Sequence, residues 1–201
     1  MIAAVYFLPA AWGSTYAAAH DSDVAAVLVG RVTEVTDGDT IHVALTSGPI
    51  VVRLHSIDTP ERSQPWGRQA TAALARRLRQ GTEVTLRPIT QDEYDRLVAV
   101  VYLGDENLNA WMVQQGHAWA YRRYLDDAQY CAWEQQARAA GLGVWSLPSS
   151  ERVAPWEYRK AEREQTQIVM GSTVETETAC VAAMNDRGPV VLRSRSVGAG
   201  C

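Results

Sequence analysis

The stretch D-G-D-T-I-H-V-A-L-T-S-G-P-I-V-V-R-L-H-S-I-D-T-P-E, Asp37 to Glu61, holds two strand-like runs separated by a turn. Thr40–Leu45 and Ile50–Leu54 are rich in β-branched residues, and Ser47-Gly48-Pro49 between them is a turn signal. Asp37-Gly38 is a second turn signal, because glycine accepts positive φ and aspartate tolerates it. Folding the two runs into a hairpin brings Asp39 toward Arg53, Asp58 and Glu61. Gathered carboxylates are hard oxygen donors for a metal ion, and a neighbouring guanidinium suits phosphate.

Working outward, Val27–Val35 reads as a strand, so three strands in close succession predict an antiparallel meander. Over Trp66–Arg79 the period changes: Ala70, Ala73, Leu74 and Leu78 recur at helical spacing, with Gly81 beyond as the stop. Glu83–Arg87 and Leu97–Leu103 return to strand character across the polar loop Asp92–Arg96. Asn107–Gln115 and Asp126–Ala140 read as helices ending at Gly116 and Gly141. Five short strands and three helices predict a five-stranded OB-fold barrel packed with three α-helices.

The chain has 201 residues, enough for one ordinary domain with short extensions, and its 47% hydrophobic content supports a real core. A formal charge of -4 gives no global pull on a polyanion, although residues 30–163 carry 16 Lys/Arg against 17 Asp/Glu and are nearly neutral. Residues 1–19 contain no charged side chain and resemble a secretory signal ending at Ala17-Ala18-Ala19, without the usual basic start. Export to the periplasm or beyond is therefore expected, the alternative being a membrane anchor through an uncleaved segment. Residues 20–26 read as a linker, 27–163 as the domain and 164–201 as a flexible tail. In an exported protein Cys180 and Cys201 are placed to staple that tail, contributing about 3 kcal/mol. Cys131 is then left as a small buried apolar group.

Taken alone, each motif has a plain structural reading. Thr59 suits a helix N-cap with Pro60 at the first helical position, and D-G-D-T suits an ordinary turn. Their combination at short range, with D-E-Y-D-R at 92–96 before a strand, is more specific. Residues 30–159 resemble the thermonuclease family, the staphylococcal-nuclease-like domains. The resemblance rests on D-G-D-T at 37–40, V-R-L-H-S-I-D-T-P-E at 52–61 and D-x-Y-x-R at 92–96. N-x-x-W-M-V-Q-Q-G-x-A at 109–118, G-L-G-V-W at 141–145 and P-W-E at 155–157 extend it.

That resemblance implies a calcium-dependent nuclease of low sequence specificity, acting on DNA or RNA and releasing 3'-phosphorylated products. Single-stranded or denatured nucleic acid is the expected partner, and the chain is expected to work as a monomer without a stable membrane partner. By position, Asp39 and Asp58 correspond to side-chain ligands of Ca²⁺, with Thr59 giving its backbone carbonyl. Arg53 and Arg96 correspond to the phosphate clamp, and Glu61 to the group acting on the attacking water. Asp37 is left as a turn residue or a supporting acid. Tyr94 and Tyr121 match positions near the nucleotide pocket, with Tyr124 a weaker candidate. His42 and His55 read as half-exposed strand residues.

Two departures stand out. Asp95 replaces the glycine usual before Arg96 and is expected to pair with that arginine, while Glu93 replaces a lysine that contacts phosphate in the best-known member. Both make the substrate side more acidic and predict weaker, more salt-sensitive binding. The rival reading is a non-catalytic OB-type module that binds nucleic acid or protein, and a calcium-dependent adhesion module is a third. Retention of Asp39, Arg53, Asp58, Glu61 and Arg96 favours the enzyme.

Overall fold

The computed structural model describes residues 27–167. The signal, linker and Cys180–Cys201 expectations, and the tail beyond residue 167, lie outside the described residues. In order, the chain forms β1 (Leu28–Val35), β2 (Thr40–Leu45), β3 (Gly48–Leu54), β4 (Ile57–Asp58) and α1 (Gly67–Arg77). There follow β5 (Glu83–Gln91), β6 (Leu97–Leu103), β7 (Glu106–Asn107), α2 (Leu108–Gln114), β8 (Trp119–Ala120) and α3 (Gln129–Ala139). A fourth helix, α4, covers residues 155–167.

The strand order β3-β2-β1-β5-β6-β7 would leave an open sheet, but β3 also pairs in parallel with β6 through Val52, Arg53 and Leu54. That pairing closes the five long strands into the expected barrel. Alternation along the strands sends Val32, Ile41, Val43, Val52, Leu54, Leu86, Ala99 and Val101 inward. Leu74 from α1 and Leu108 and Met112 from α2 join the same core. A smaller cluster of Trp119, Ala137, Val144 and Trp145 sits beneath α3, with Trp66 and Trp156 against it.

Four expectations need correcting, each for a local reason. The β2–β3 turn is Thr46-Ser47 rather than Ser47-Gly48-Pro49, since Gly48 already pairs with Leu45. Strand β5 continues through Pro88 to Gln91, because a register shift between Pro88 and Thr90 accommodates the residue that cannot donate. Thr59 is no helix cap: α1 begins at Gly67, after Trp66 in a left-handed conformation. Among the described residues the helices number four rather than three, α4 being the one that the apolar pattern, fading after residue 163, does not mark.

Candidate active site

The closing of β2 onto β3 decides the geometry. Thr40 lies opposite Arg53 in the ladder, and the Leu54 amide donates to the Asp39 carbonyl at 2.8 Å. The chain then turns through His55 and Ser56, the latter at φ 65, and enters β4, where Asp58 pairs with Trp119. Asn109 anchors this turn from beneath. Fully buried, its Nδ2 donates to the carbonyls of His55 (2.9 Å) and Ala99 (3.1 Å), and its Oδ1 accepts from the Val101 amide at 3.0 Å.

Asp39 and Asp58 are thereby buried at adjacent strand ends, at 3% and 0% exposure. Arg53 spans them: Nη1 donates to Asp39 Oδ1 at 2.5 Å and Nη2 to Asp58 Oδ1 at 3.0 Å. Thr59 donates to Asp39 Oδ2 twice, from its amide and from its hydroxyl, each at 3.0 Å. Gly38 has no positive φ; it is glycine because a Cβ there would press into Thr59. The D-G-D motif is thus a close-approach motif, which lets Thr59 reach Asp39.

Electrostatics follow from this crowding. Burial and the neighbouring Asp39 push the Asp37 carboxyl up to about 6. Burial also raises Asp58, against the opposing hydrogen bond from Arg159. For Arg53 burial acts against the charge, but Asp39 and Asp58 outweigh it and its pKa is raised. Asp37, whose Oδ1 accepts from the Asp39 amide at 3.0 Å, supports the site rather than facing the guanidiniums.

Glu61 joins through a residue that the sequence reading passed over. Arg159 of α4 donates from Nη1 to Glu61 Oε1 at 2.6 Å and from Nη2 to Asp58 Oδ2 at 2.7 Å, with Nη1 also 3.3 Å from Asp58 Oδ1. Asp39, Arg53, Asp58, Thr59 and Glu61 therefore form one cluster, completed by Arg159. P-W-E-Y-R signals the helix, with Pro155 at its start and apolar Trp156 on the docked face, but does not single out Arg159 among its basic residues.

The remaining candidates stand apart from this cluster. Arg96 folds back onto its own loop: Nε donates to Asp92 Oδ2 at 2.8 Å, and Asp92 Oδ1 accepts the amides of Tyr94 and Arg96. The pairing expected from Asp95 is made by Asp92 instead, while Asp95 Oδ1 lies 3.4 Å from Gln91 Nε2. Tyr94 is 71% exposed and stacks under Arg96. Tyr121 stacks on Trp156 of α4 with ring centroids 5.5 Å apart, and Tyr124 meets it edge-on. His42 is half-buried on β2, but His55 is buried in the turn after β3, not half-exposed in a strand. Its Nε2 lies 3.2 Å from Asp126 Oδ2 without hydrogen-bond alignment.

Asp95 nonetheless sits at φ 60, where only glycine is free of strain. Asp95→Gly is expected to raise unfolding stability by about 1 kcal/mol and leave turnover unchanged, because the carboxylate does not touch Arg96. A melt and a rate measurement check this; a large gain in rate would show that the acid does reach the clamp.

The donor chemistry of the cluster fits a hard divalent cation. Asp39, Asp58 and Glu61 face Arg53 and Arg159, three carboxylates to two guanidiniums, and Asp37 stands behind Asp39 as a fourth acid. Among the described residues no three His, Cys, Asp or Glu side chains form a ready cage. Two carboxylates with a carbonyl and waters would suffice for Ca²⁺, which accepts such mixed oxygen shells.

Comparison with known proteins decides the relationship. Residues 51–147 match the family model described as staphylococcal nuclease homologue. A micrococcal nuclease of Shigella flexneri is 41% identical over 149 residues, spanning 68% of this chain and 83% of the relative. The chain belongs to the staphylococcal nuclease family. An uncharacterized endonuclease of Haemophilus influenzae is 38% identical over 135 residues, 66% of this chain and 74% of that protein. Protein ParB of Escherichia coli is 38% identical over 146 residues, 67% and 81% of the two chains. Within this family member β5, β6 and Arg53 to Glu61 fall inside the span matched by the family model, whereas β1, β2 and Asp39 precede it and α4 follows it.

Proposed function

We propose that this chain is a calcium-dependent nuclease that hydrolyses phosphodiester bonds of DNA or RNA with low sequence specificity, giving 3'-phosphorylated products. The carrying observation is the convergence of Asp39, Asp58, Arg53 and Glu61 at one end of the barrel in a chain related to nucleases. Asp39 and Asp58, with the Thr59 carbonyl, would hold the ion. When bound, Ca²⁺ would polarise a phosphoryl oxygen.

The chain's own groups account for the rest. Glu61 takes a proton from, and orients, the water that attacks phosphorus. Arg53, already aimed between two carboxylates, turns its planar donors to the charge that grows on the phosphate. Arg96 reaches the same phosphate only by leaving Asp92, so substrate must compete for it. Tyr94, exposed beside Arg96, offers a face for a base. Tyr121 has one face covered by Trp156, leaving its edge and hydroxyl for substrate. A single-stranded or denatured substrate suits such an open site, and a monomer contains every group named. Export is the compartment proposed, because residues 1–19 resemble a signal; among the described residues no helix is long and apolar enough to cross a membrane.

The test is cleavage of denatured DNA and of RNA by the purified protein, with Ca²⁺ and with excess chelator. Cleavage is expected with the ion and a loss of at least about 10²-fold without it, with 3'-phosphate ends on the products. Undiminished cleavage in chelator would remove calcium from the mechanism. Binding without cleavage under every condition would favour the non-catalytic module.

A further inference from the structure

Glu61 lies on a loop between β4 and α1 that has no regular structure of its own, so something else must fix its carboxylate. Inside the loop, the Gln64 amide donates to the Glu61 carbonyl at 2.8 Å and Gln64 Oε1 accepts from the Glu61 amide at 2.8 Å. A Cβ on Gly67 would collide with the Glu61 carbonyl, so the start of α1 closes tightly on the same backbone. Outside the loop, three further contacts run to one short segment. Gln64 Nε2 donates to the Val153 carbonyl at 3.1 Å, Tyr158 Oη donates to Ser63 Oγ at 3.1 Å, and Arg159 Nη1 donates to Glu61 Oε1 at 2.6 Å.

That segment is itself anchored. Pro155 is buried, Trp156 stacks on Tyr121 at an interplanar angle of 12° and packs on the Trp119–Trp145 cluster, and Arg159 Nη2 ends on buried Asp58. Among the described residues, Arg159 is the only hydrogen-bond partner of the Glu61 carboxylate.

We propose that helix α4 completes the active site and that Arg159 is a positioning residue, which holds the Glu61 carboxylate and its loop against Asp58. The inference deepens the nuclease reading above and rests on it for its catalytic part. A guanidinium suits the task because its planar fork engages two carboxylates at fixed relative positions. Gln64 holds the Glu61 backbone and Tyr158 holds the Ser63 side chain of the same loop, so the arginine needs to orient only the Glu61 side chain. Neither catalysis nor phosphate contact is assigned to Arg159; it acts through Glu61.

The experiment uses the full chain with Ca²⁺ and compares Arg159→Ala and Arg159→Lys in the natural and Glu61→Gln backgrounds. Arg159→Ala is expected to lower kcat about 10²-fold with little change in KM, and Arg159→Lys to recover part of the loss. In the Glu61→Gln background, Arg159→Ala is expected to cost nothing further, which a merely structural role would not produce. Hydrogen exchange of the amides at 61–67 is expected to speed up in Arg159→Ala and in the milder Tyr158→Phe, with the barrel strands unchanged. Equal losses in both backgrounds, unchanged exchange, or a rise in kcat would each overturn the proposal. A rise would mean that the arginine obstructs the site instead. If the natural chain cleaves nothing, the nuclease reading fails, and the exchange comparison still decides whether α4 fixes the loop.

Discussion

Glu61→Gln is expected to lower kcat by about 10³-fold, within the range that a positioned general base contributes, and to leave the unfolding temperature nearly unchanged. Glutamine keeps the shape and still offers Arg159 an acceptor, but it cannot take the proton from water. The Glu61 carboxylate is 39% exposed and its one ion pair among the described residues is with an arginine at 31% exposure, so solvent screening leaves little stability at stake. Rates on denatured DNA and a thermal melt test both halves. If the variant keeps more than about a tenth of the activity, Glu61 is not the group acting on water. If it unfolds markedly earlier, its main work is to hold α4.

How far the fold was legible depends on where each signal lives. Strands β1, β2, β3 and β6 were readable within a residue or two because alternation and β-branching are local properties, and the barrel followed from their number. Pro88 concealed the second half of β5, since the bulge that accommodates it is a property of the pairing with β6. The site residues of the hairpin were legible because charged side chains stood at the ends of apolar strands. Gly38 was legible for the wrong reason: its need for space comes from Thr59, twenty-one positions later, and not from its own φ.

Arg159 was invisible for a different reason. Along Y-R-K-A-E-R-E it has basic neighbours, Lys160 and Arg163, of the same apparent character. Which of them faces Asp58 is set by the rotation of α4 once Pro155 and Trp156 have docked, and that is a tertiary fact. Glu134 shows the same limit. Four positions before Arg138 on α3, it is 1% exposed and held by both Arg122 and Arg138, a burial that no local pattern in the sequence marks. The expected Asp95–Arg96 pair failed because adjacent residues were assumed to interact. The turn carries the side chain of Asp92, four positions before Arg96, into that place instead.

Arg53→Met is expected to separate two roles that the natural residue combines. Its side chain is 19% exposed and neutralises Asp39 and Asp58, themselves 4% and 1% exposed as side chains. Removing one partner of a buried charge network costs about 3 kcal/mol or more, although Thr59 and Arg159 still serve the two acids. Turnover is expected to fall about 10²–10³-fold, the scale of losing a donor aimed at transition-state charge. Saturating Ca²⁺ should then restore most of the stability, because a dication on the same carboxylates replaces the missing positive charge. Binding at a hundred times Kd contributes about 2.7 kcal/mol. It should not restore the rate, since the ion cannot present the paired donors of a guanidinium. Melts and cleavage rates with and without calcium distinguish the outcomes. Recovery of both would make Arg53 a charge and nothing more. Recovery of neither would mean that Asp39 and Asp58 do not hold the ion.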